Sequence, residues 1–128
     1  MKTVGEVMTK GLLKLAAETP LVEAAAAMNE RRVGSALVVE GGRLIGIVTE
    51  RDVLRAVGSN DVGGRVGDWM TRHPETVDAD ESTQQAAVVM IHGGFRHLPV
   101  LDEGTPCGIV SIRDLMRVAL EDVSPRGV

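Results

Sequence analysis

The stretch Gly46–Asp52 reads GIVTERD, and Gly108–Asp114, 62 residues further on, reads GIVSIRD. The same offset brings a second pair of motifs into register, VGEVMT at residues 4–9 and VGDWMT at residues 66–71. Between residues 4 and 56, 16 of 53 positions are identical to the residue 62 positions later. Unrelated sequences of ordinary composition would share about four. The chain therefore contains two copies of one structural unit.

The two copies divide the chain into residues 1–60 and residues 61–121, followed by a tail at 122–128 that we expect to fray. A unit of about 60 residues buries too little surface to be stable alone. We therefore expect the copies to pack together and to share one core. The glycine-rich residues 58–65 form the connection between them.

Each copy is predicted to follow the order strand, helix, strand, strand, helix, so the fold class is α/β (α+β). The predicted strands are residues 12–16, 36–40 and 44–49 in the first copy and residues 75–79, 98–102 and 107–111 in the second. The turns between paired strands are Gly41-Gly42 and residues 103–106, and the closing helices are residues 51–57 and 113–121.

The helix after the first strand of each copy is predicted from its start signal and its apolar spacing. In the first copy Thr19 is the expected N-cap, with Pro20 in the first turn. In the second copy either Asp80 or Ser82 caps the helix. The apolar side chains expected to face the core are Leu21, Ala24, Ala25 and Met28, and then Ala86, Ala87, Met90 and Ile91.

The composition argues against several classes of function. The 128 residues carry a net charge of −4, whereas a general nucleic-acid binder usually shows a basic excess. Aromatic residues make up only 2%, which disfavours a stacking platform for single strands. The sequence contains neither an apolar run long enough to span a membrane nor a secretory signal. The single cysteine permits no internal disulfide, so we expect a cytoplasmic protein.

The strongest candidate sites are the pairs Thr49 with Asp52 and Ser111 with Asp114. This spacing fits a capping box, in which the hydroxyl and the carboxylate satisfy backbone amides at a helix start. A carboxylate at such a position can also bind the diol of a ribose, and a helix N-terminus favours an anion. The two roles are compatible, and the sequence leaves both open.

The ordered motifs, present twice at one offset, resemble the cystathionine-β-synthase (CBS) domain family in its tandem-pair form. The resemblance covers residues 1–121 and includes the RHLPV stretch at residues 96–100. It implies two β-α-β-β-α repeats packed about a pseudo-twofold axis, with two clefts that bind adenosine-containing ligands. It further implies a stand-alone regulatory pair that forms a homodimer and signals to a partner protein of unknown identity.

The resemblance also implies roles for individual residues. It assigns Asp52 and Asp114 to ribose hydroxyls, and Thr49 and Ser111 to ribose or phosphate. Arginines in the first turn of each closing helix oppose the helix dipole, which points to phosphate contact as an alternative to a solvated surface position. The nucleotide-binding residues predicted in addition are Arg51, Arg113, Arg32, Arg96, His97, Thr76, Ala36 and Leu98.

The function predicted first is a regulatory module that senses adenine nucleotides such as AMP, ADP or ATP and requires no cofactor. The alternative is a ligand-free dimeric scaffold for protein interaction, which the shortage of aromatic residues favours. Neither a catalytic triad nor a paired-carboxylate site nor metal-ligand spacing is recognisable, so we expect no enzyme activity and no metal. We likewise expect neither a nucleic-acid nor a membrane partner.

Overall fold

A computed structural model describes residues 2–121 and divides them into two compact units. One, here called the continuous unit, spans residues 11–75. The other, the two-segment unit, combines residues 76–121 with residues 2–10. The units therefore differ from the repeats as the sequence divides them, because the first ten residues pack with the second repeat and residues 61–75 pack with the first.

The continuous unit is built on a four-stranded sheet. Its strands are β1 (Lys14–Leu15), β2 (Ser35–Glu40), β3 (Arg43–Thr49) and β4 (Thr71–Arg72), hydrogen-bonded in that order. β1 runs parallel to β2, and the other neighbours are antiparallel. The helices are α2 (Leu21–Arg31), α3 (Glu50–Gly58) and the short α4 (Val66–Trp69). Its core contains Leu21, Ala24, Met28, Ala36, Val38, Val48, Ala56, Val66 and Met70.

The two-segment unit repeats this plan on a three-stranded sheet. The strands β5 (Val77–Asp78), β6 (His97–Asp102) and β7 (Thr105–Ser111) lie in that order, with the first pair parallel and the second antiparallel. The helices are α1 (Val4–Val7), α5 (Thr83–Gly93) and α6 (Ile112–Ala119). Its core contains Val4, Val77, Ala86, Met90, Leu98, Val100, Val110 and Leu115. The predicted order of elements and the mixed α and β class are confirmed.

The VGEVMT and VGDWMT motifs form the short helices α1 and α4, which the sequence did not predict. The Val66 amide donates to Thr19 O and the Gly67 amide to Ala17 O. In the other unit the Gly5 amide donates to Ala79 O in the same way. A Cβ on Gly67 would lie 3.1 Å from Ala17 O, which explains why a glycine stands at this point of both motifs.

Two details of the predicted helices are wrong. Thr19 does not cap α2: the N-cap is Pro20 without a side-chain bond, and the Thr19 carbonyl instead accepts the Val66 amide. If Thr19 were the N-cap, its carbonyl would accept the first hydrogen bond of the helix. That carbonyl is instead bonded to the Val66 amide. Ile91 is 72% exposed, because it lies one position past Met90 and points away from the core. Ser82, by contrast, caps α5 through the Gln85 amide at 3.0 Å, as one of the two predicted alternatives.

The turn of the second hairpin is tighter than predicted, whereas the turn of the first is Gly41-Gly42 as predicted. β7 begins at Thr105, so the turn is only Glu103-Gly104, matching Gly41-Gly42 in the first copy. All four turn residues have positive φ, between 50° and 82°, as a type I′ turn requires. The predicted four-residue loop is therefore a two-residue turn, with Thr105 and Pro106 in the strand. No helix within residues 2–121 has both the length and the apolar character needed to cross a membrane.

Candidate functional site

The start of α3 carries a hydrogen-bonded pair of polar side chains. Thr49 ends β3 and caps α3, and its Oγ1 accepts the Asp52 amide at 3.4 Å. Asp52 Oδ2 in turn accepts the Thr49 amide at 2.8 Å and the Thr49 hydroxyl at 3.2 Å. The predicted capping box is therefore present, and it buries the Asp52 carboxylate at the junction of strand and helix.

The start of α6 repeats this arrangement in the two-segment unit. Ser111 Oγ accepts the Asp114 amide at 3.1 Å, and Asp114 Oδ2 accepts the Ser111 amide at 2.8 Å. Each unit thus presents one carboxylate held at the N-terminal end of a helix. Both positions combine a carboxylate with the positive end of a helix dipole, the surroundings in which a ribose and its phosphate are bound in other folds.

An arginine three residues after each aspartate contacts that aspartate. Arg55 lies 3.2 Å from Asp52 Oδ1, whereas Arg117 lies 3.8 Å from Asp114 Oδ1. The two arginines occupy equivalent positions in the repeats, so sequence comparison between the copies offered a signal that the site prediction missed. These arginines partly neutralise the aspartates, and they do so more closely in the continuous unit.

The indole ring of Trp69 lies against the guanidinium group of Arg55. The guanidinium carbon lies 5.5 Å from the centre of the indole ring, and the indole N–H donates to Asp61 Oδ2 at 2.8 Å. In the other unit the position of Trp69 is occupied by Val7, which offers no aromatic face. Arg55 therefore has a cation–π contact that Val7, at the position equivalent to Trp69, cannot offer to Arg117.

The predicted basic residues lie at the ends of the same elements. Arg51 and Arg113 are exposed in the first turns of α3 and α6. Arg96 directly precedes β6 and is exposed, and the half-buried His97 pairs with Ser111 in the β6–β7 ladder. These positions bring Arg96, His97, Ser111, Arg113 and Asp114 to one end of the second hairpin.

The remaining predicted residues are placed differently. Arg32 is exposed and forms the left-handed C-cap of α2, with φ at 56°. Thr76 is half-buried and stands one residue before β5. Ala36 and Leu98 are fully buried within the cores of their units, so neither is exposed to a ligand in this structure.

Cys107 and the histidines bear on other kinds of site. The half-buried Cys107 thiol lies 3.9 Å from Met8 Sδ. Burial, with the Asp102 carboxylate as a smaller contribution, raises the pKa of Cys107 above its ordinary value. Within residues 2–121, His, Cys, Asp and Glu side chains form no cluster of three or more that would suit a metal ion.

The chain is a mixed α and β protein built of two equivalent units. Because each unit carries a capped aspartate at the start of a helix, the chain is a tandem-repeat protein. The model of the CBS domain matches this chain twice, at residues 4–59 and 66–121. The chain belongs to the CBS domain family. The resemblance that the sequence motifs indicated is confirmed.

Several characterised and uncharacterised proteins are similar to this chain. A 17.7 kDa protein from Acidianus ambivalens is 36% identical over 120 residues, which are 92% of this chain and 73% of that protein. Three further curated relatives are longer, and the chain spans between 43% and 63% of their lengths.

Solved structures match the fold over nearly the whole chain. CBSX2 from Arabidopsis thaliana, in complex with AMP, is 28% identical with a TM-score of 0.85, covering 95% of this chain and 99% of that one. The CBS domain pair of protein MJ0100, in complex with 5′-methylthioadenosine and S-adenosylmethionine, is 25% identical with a TM-score of 0.86. That match covers 92% of this chain and 99% of the MJ0100 chain.

Proposed function

We propose that this protein is a regulatory module that binds an adenosine-containing ligand, an adenine nucleotide above all, and signals its presence to a partner protein. The observation that carries the proposal is the likeness to CBSX2, which is 28% identical over 95% of this chain and was solved with AMP. The capped aspartates at the starts of α3 and α6 support it. We propose that the protein performs no catalytic step, requires no cofactor, has neither a nucleic-acid nor a membrane partner, and lies in the cytoplasm.

The hydrogen bonds of the two aspartates leave room for a ribose diol. Each carboxylate oxygen accepts about two hydrogen bonds. Asp52 Oδ2 receives both Thr49 donors, and Oδ1 receives Arg55, so one lone pair remains on Oδ1. Asp114 Oδ2 receives only the Ser111 amide among the contacts described, and Arg117 is 3.8 Å from Oδ1. Capping and ribose binding are thus compatible at both positions, with more capacity at Asp114.

The remaining predicted residues supply the other parts of such a site. Arg96, His97 and Arg113 stand around Asp114 at the end of the second hairpin and carry donors suited to a phosphate. Thr76 stands one residue before β5, and Leu98 lies in β6 directly after His97. In the first repeat Thr49 and Arg51 correspond to Ser111 and Arg113, Ala36 takes the place of Leu98, and Arg32 stands opposite Gly94 of the second repeat.

A thermal-shift panel tests the proposal directly. The ligands are AMP, ADP, ATP, S-adenosylmethionine, 5′-methylthioadenosine and NADH, with guanosine monophosphate as the control for the base. A ligand at 100 times its dissociation constant stabilises by about 2.7 kcal/mol, which raises the melting temperature by about 10 °C for a chain of this size. If no adenosine ligand moves the transition at millimolar concentration, the proposal is wrong.

The second candidate function is a dimeric scaffold, and the exposed apolar side chains of the helices favour it. Leu54 on α3 is 70% exposed and Met116 on α6 is 55% exposed. Val57, Val88, Ile91 and Leu120 are also exposed. We propose that these helix faces bury apolar area in a homodimer, because each helix exposes two large apolar side chains one turn apart, and contiguous exposed apolar area marks an interface. The Ala24–Ala27 stripe is less suited, since Ala24 is buried in the core of its own unit.

Light scattering separates these assemblies. A homodimer has twice the 13.6 kDa mass of the chain. A dimer that binds none of the adenosine ligands supports the scaffold, and a monomer at all concentrations contradicts the dimer in either candidate function.

A further inference from the structure

The residue after each capping residue makes the same backbone contact in both units. The Glu50 amide donates to Gly34 O at 3.0 Å, and the Ile112 amide donates to Arg96 O at 2.9 Å. The strand registers agree as well, since Ser35 pairs with Thr49 and His97 pairs with Ser111. The local backbone is therefore equivalent, and the two positions differ in their side chains alone.

The side chains at this contact carry opposite charge in the two units. In the continuous unit the Glu50 carboxylate lies over Gly34, with Oε1 3.2 Å from the position that a Cβ there would take. A carboxylate thus stands where the other unit begins the side chain of Arg96. There the partner of Arg96 is the uncharged Ile112. The side chain at this place therefore carries a negative charge in one unit and a positive charge in the other.

Most other charges near the two aspartates are the same in both units. Arg51 matches Arg113, and Arg55 matches Arg117. Ser35, in the place of His97, adds no charge. Arg31 and Arg32 work in the opposite direction, since their counterparts are Gly93 and Gly94. Arg31, however, donates to Leu12 O at 3.1 Å, and Arg32 is exposed at the C-cap of α2, two residues before Gly34.

We infer that the two repeats select different classes of adenosine ligand, an inference that rests on the proposed function. The position at Thr49–Asp52 takes a ligand without phosphate, such as a neutral thioether nucleoside or a sulfonium cation. The position at Ser111–Asp114 takes the nucleoside phosphate. The Glu50 carboxylate repels a phosphate and attracts a sulfonium, whereas the Arg96 guanidinium binds phosphate oxygens through paired N–H donors.

The natural contrast between the repeats supplies the test variants. Gly34→Arg with Glu50→Ile places the pair of the second repeat in the first, and Gly34 has no positive φ that would forbid the change. Arg96→Gly with Ile112→Glu makes the reverse exchange. Glu50→Gln, which keeps the size of the side chain, is the mildest variant and serves where a double variant fails to fold.

Calorimetry with AMP and with 5′-methylthioadenosine measures the selectivity, and Trp69 fluorescence reports the location. Trp69 is the single tryptophan of the chain and contacts Arg55 beside Asp52, so a ligand there changes its emission. In the natural protein we expect methylthioadenosine, but not AMP, to change this emission. Gly34→Arg with Glu50→Ile should tighten AMP binding at that position about tenfold, and the reverse exchange should weaken AMP binding elsewhere about tenfold.

The outcomes separate this inference from the proposed function. If AMP binds but its affinity and the Trp69 response are unchanged by both exchanges and by Glu50→Gln, the selectivity inference is wrong and the proposed function stands. If neither AMP nor methylthioadenosine binds to any of these proteins, both are wrong.

Discussion

The Met70 thioether sulfur lies 2.6 Å from the position that a Cβ on Gly46 would take. The carbonyl oxygen of Thr71 lies 2.9 Å from the same point. In the two-segment unit Met8 and Thr9 occupy the corresponding space beside Gly108. The glycine of each GIV motif and the Met-Thr of each VGxxMT motif are therefore two sides of one contact, and this explains why both recur at the same offset.

Gly46→Ala should destabilise the protein by about 1–3 kcal/mol, because the added methyl group meets both a side chain and a backbone carbonyl that has little freedom to move. Urea unfolding measures the change. Gly11→Ala is the matched control, since a Cβ there meets nothing within 4 Å and no strained φ is involved. Equal effects of the two substitutions would contradict the close approach of Met70.

Thr49→Ala and Ser111→Ala should each cost about 1 kcal/mol of unfolding free energy, because each removes the acceptor of a first-turn amide. Thr19→Ala is the control, because Thr19 precedes α2 without capping it, and its cost should stay within about 0.5 kcal/mol. A loss at Thr19 as large as at Thr49 would show that these hydroxyls act through something other than capping.

Asp114→Ala should weaken binding of the adenosine ligand by about 10–150-fold, because a charged hydrogen-bond acceptor for the ribose is lost. Asp52→Ala should do the same at the other repeat. Asp68→Ala is the matched control: Asp68 Oδ2 accepts the Arg65 amide at 2.9 Å and so orders the start of α4, outside the proposed sites. If Asp114→Ala leaves the affinity unchanged and lowers the unfolding free energy only as much as Asp68→Ala does, then Asp114 serves as a helix cap alone.

Arg55→Ala should cost more stability than Arg117→Ala, though no more than about 1 kcal/mol, since surface ion pairs contribute little. Arg55 is 58% exposed, but it combines a 3.2 Å ion pair with the face of Trp69. Trp69 emission should change in Arg55→Ala and stay constant in Arg117→Ala. Identical emission in both variants would mean that the guanidinium does not rest on the indole in solution.

Cys107 should react slowly with iodoacetamide at pH 8, because its raised pKa leaves less thiolate than an ordinary thiol has at that pH. The rate should rise as the pH increases toward the pKa. Asp102→Asn removes the charge that contributes second to this shift, so it should lower the pKa and speed the reaction. Glu40→Gln, at the equivalent position of the other hairpin, is the control and should leave the rate unchanged. A rate that matches that of free cysteine would contradict the burial of the thiol.

The repeat made most of the fold predictable. Hydrophobic spacing and turn residues identified the order of elements because each is a local signal, and the internal match at one offset checked each assignment against its copy. The helices α1 and α4 were not predicted, because a helix of four residues is too short to show a hydrophobic period. Their positions depend on contacts with a distant part of the chain, such as Val66 with Thr19, which no local pattern records. The same contacts displaced the predicted cap at Thr19.

The candidate site was predictable where its chemistry is local. Thr49 with Asp52 is a sequence motif, and the capping box follows from three-residue spacing alone. The contact of the Glu50 carboxylate with Gly34 was not predictable, because it joins the start of α3 to the residue before β2 and depends on a side-chain rotamer that no sequence pattern records. The burial of Ala36 and Leu98 was open in the sequence, since an apolar strand residue suits a core and a ligand wall equally well.

Residues 2–10 pack with the second repeat and residues 61–75 pack with the first. The two units therefore become complete at different times during synthesis on the ribosome. The continuous unit can be completed once residue 75 has left the exit tunnel, because every strand of its sheet has then been made. In the two-segment unit, residues 2–10 are made first but can pack only after β7 has been synthesised, when Thr9 pairs with Ile109. In a chain that grows at about 5–20 residues per second, that interval lasts several seconds. During it the apolar Val4 and Met8 lack the unit that they pack against, so residues 2–10 stay exposed until the second repeat has been made.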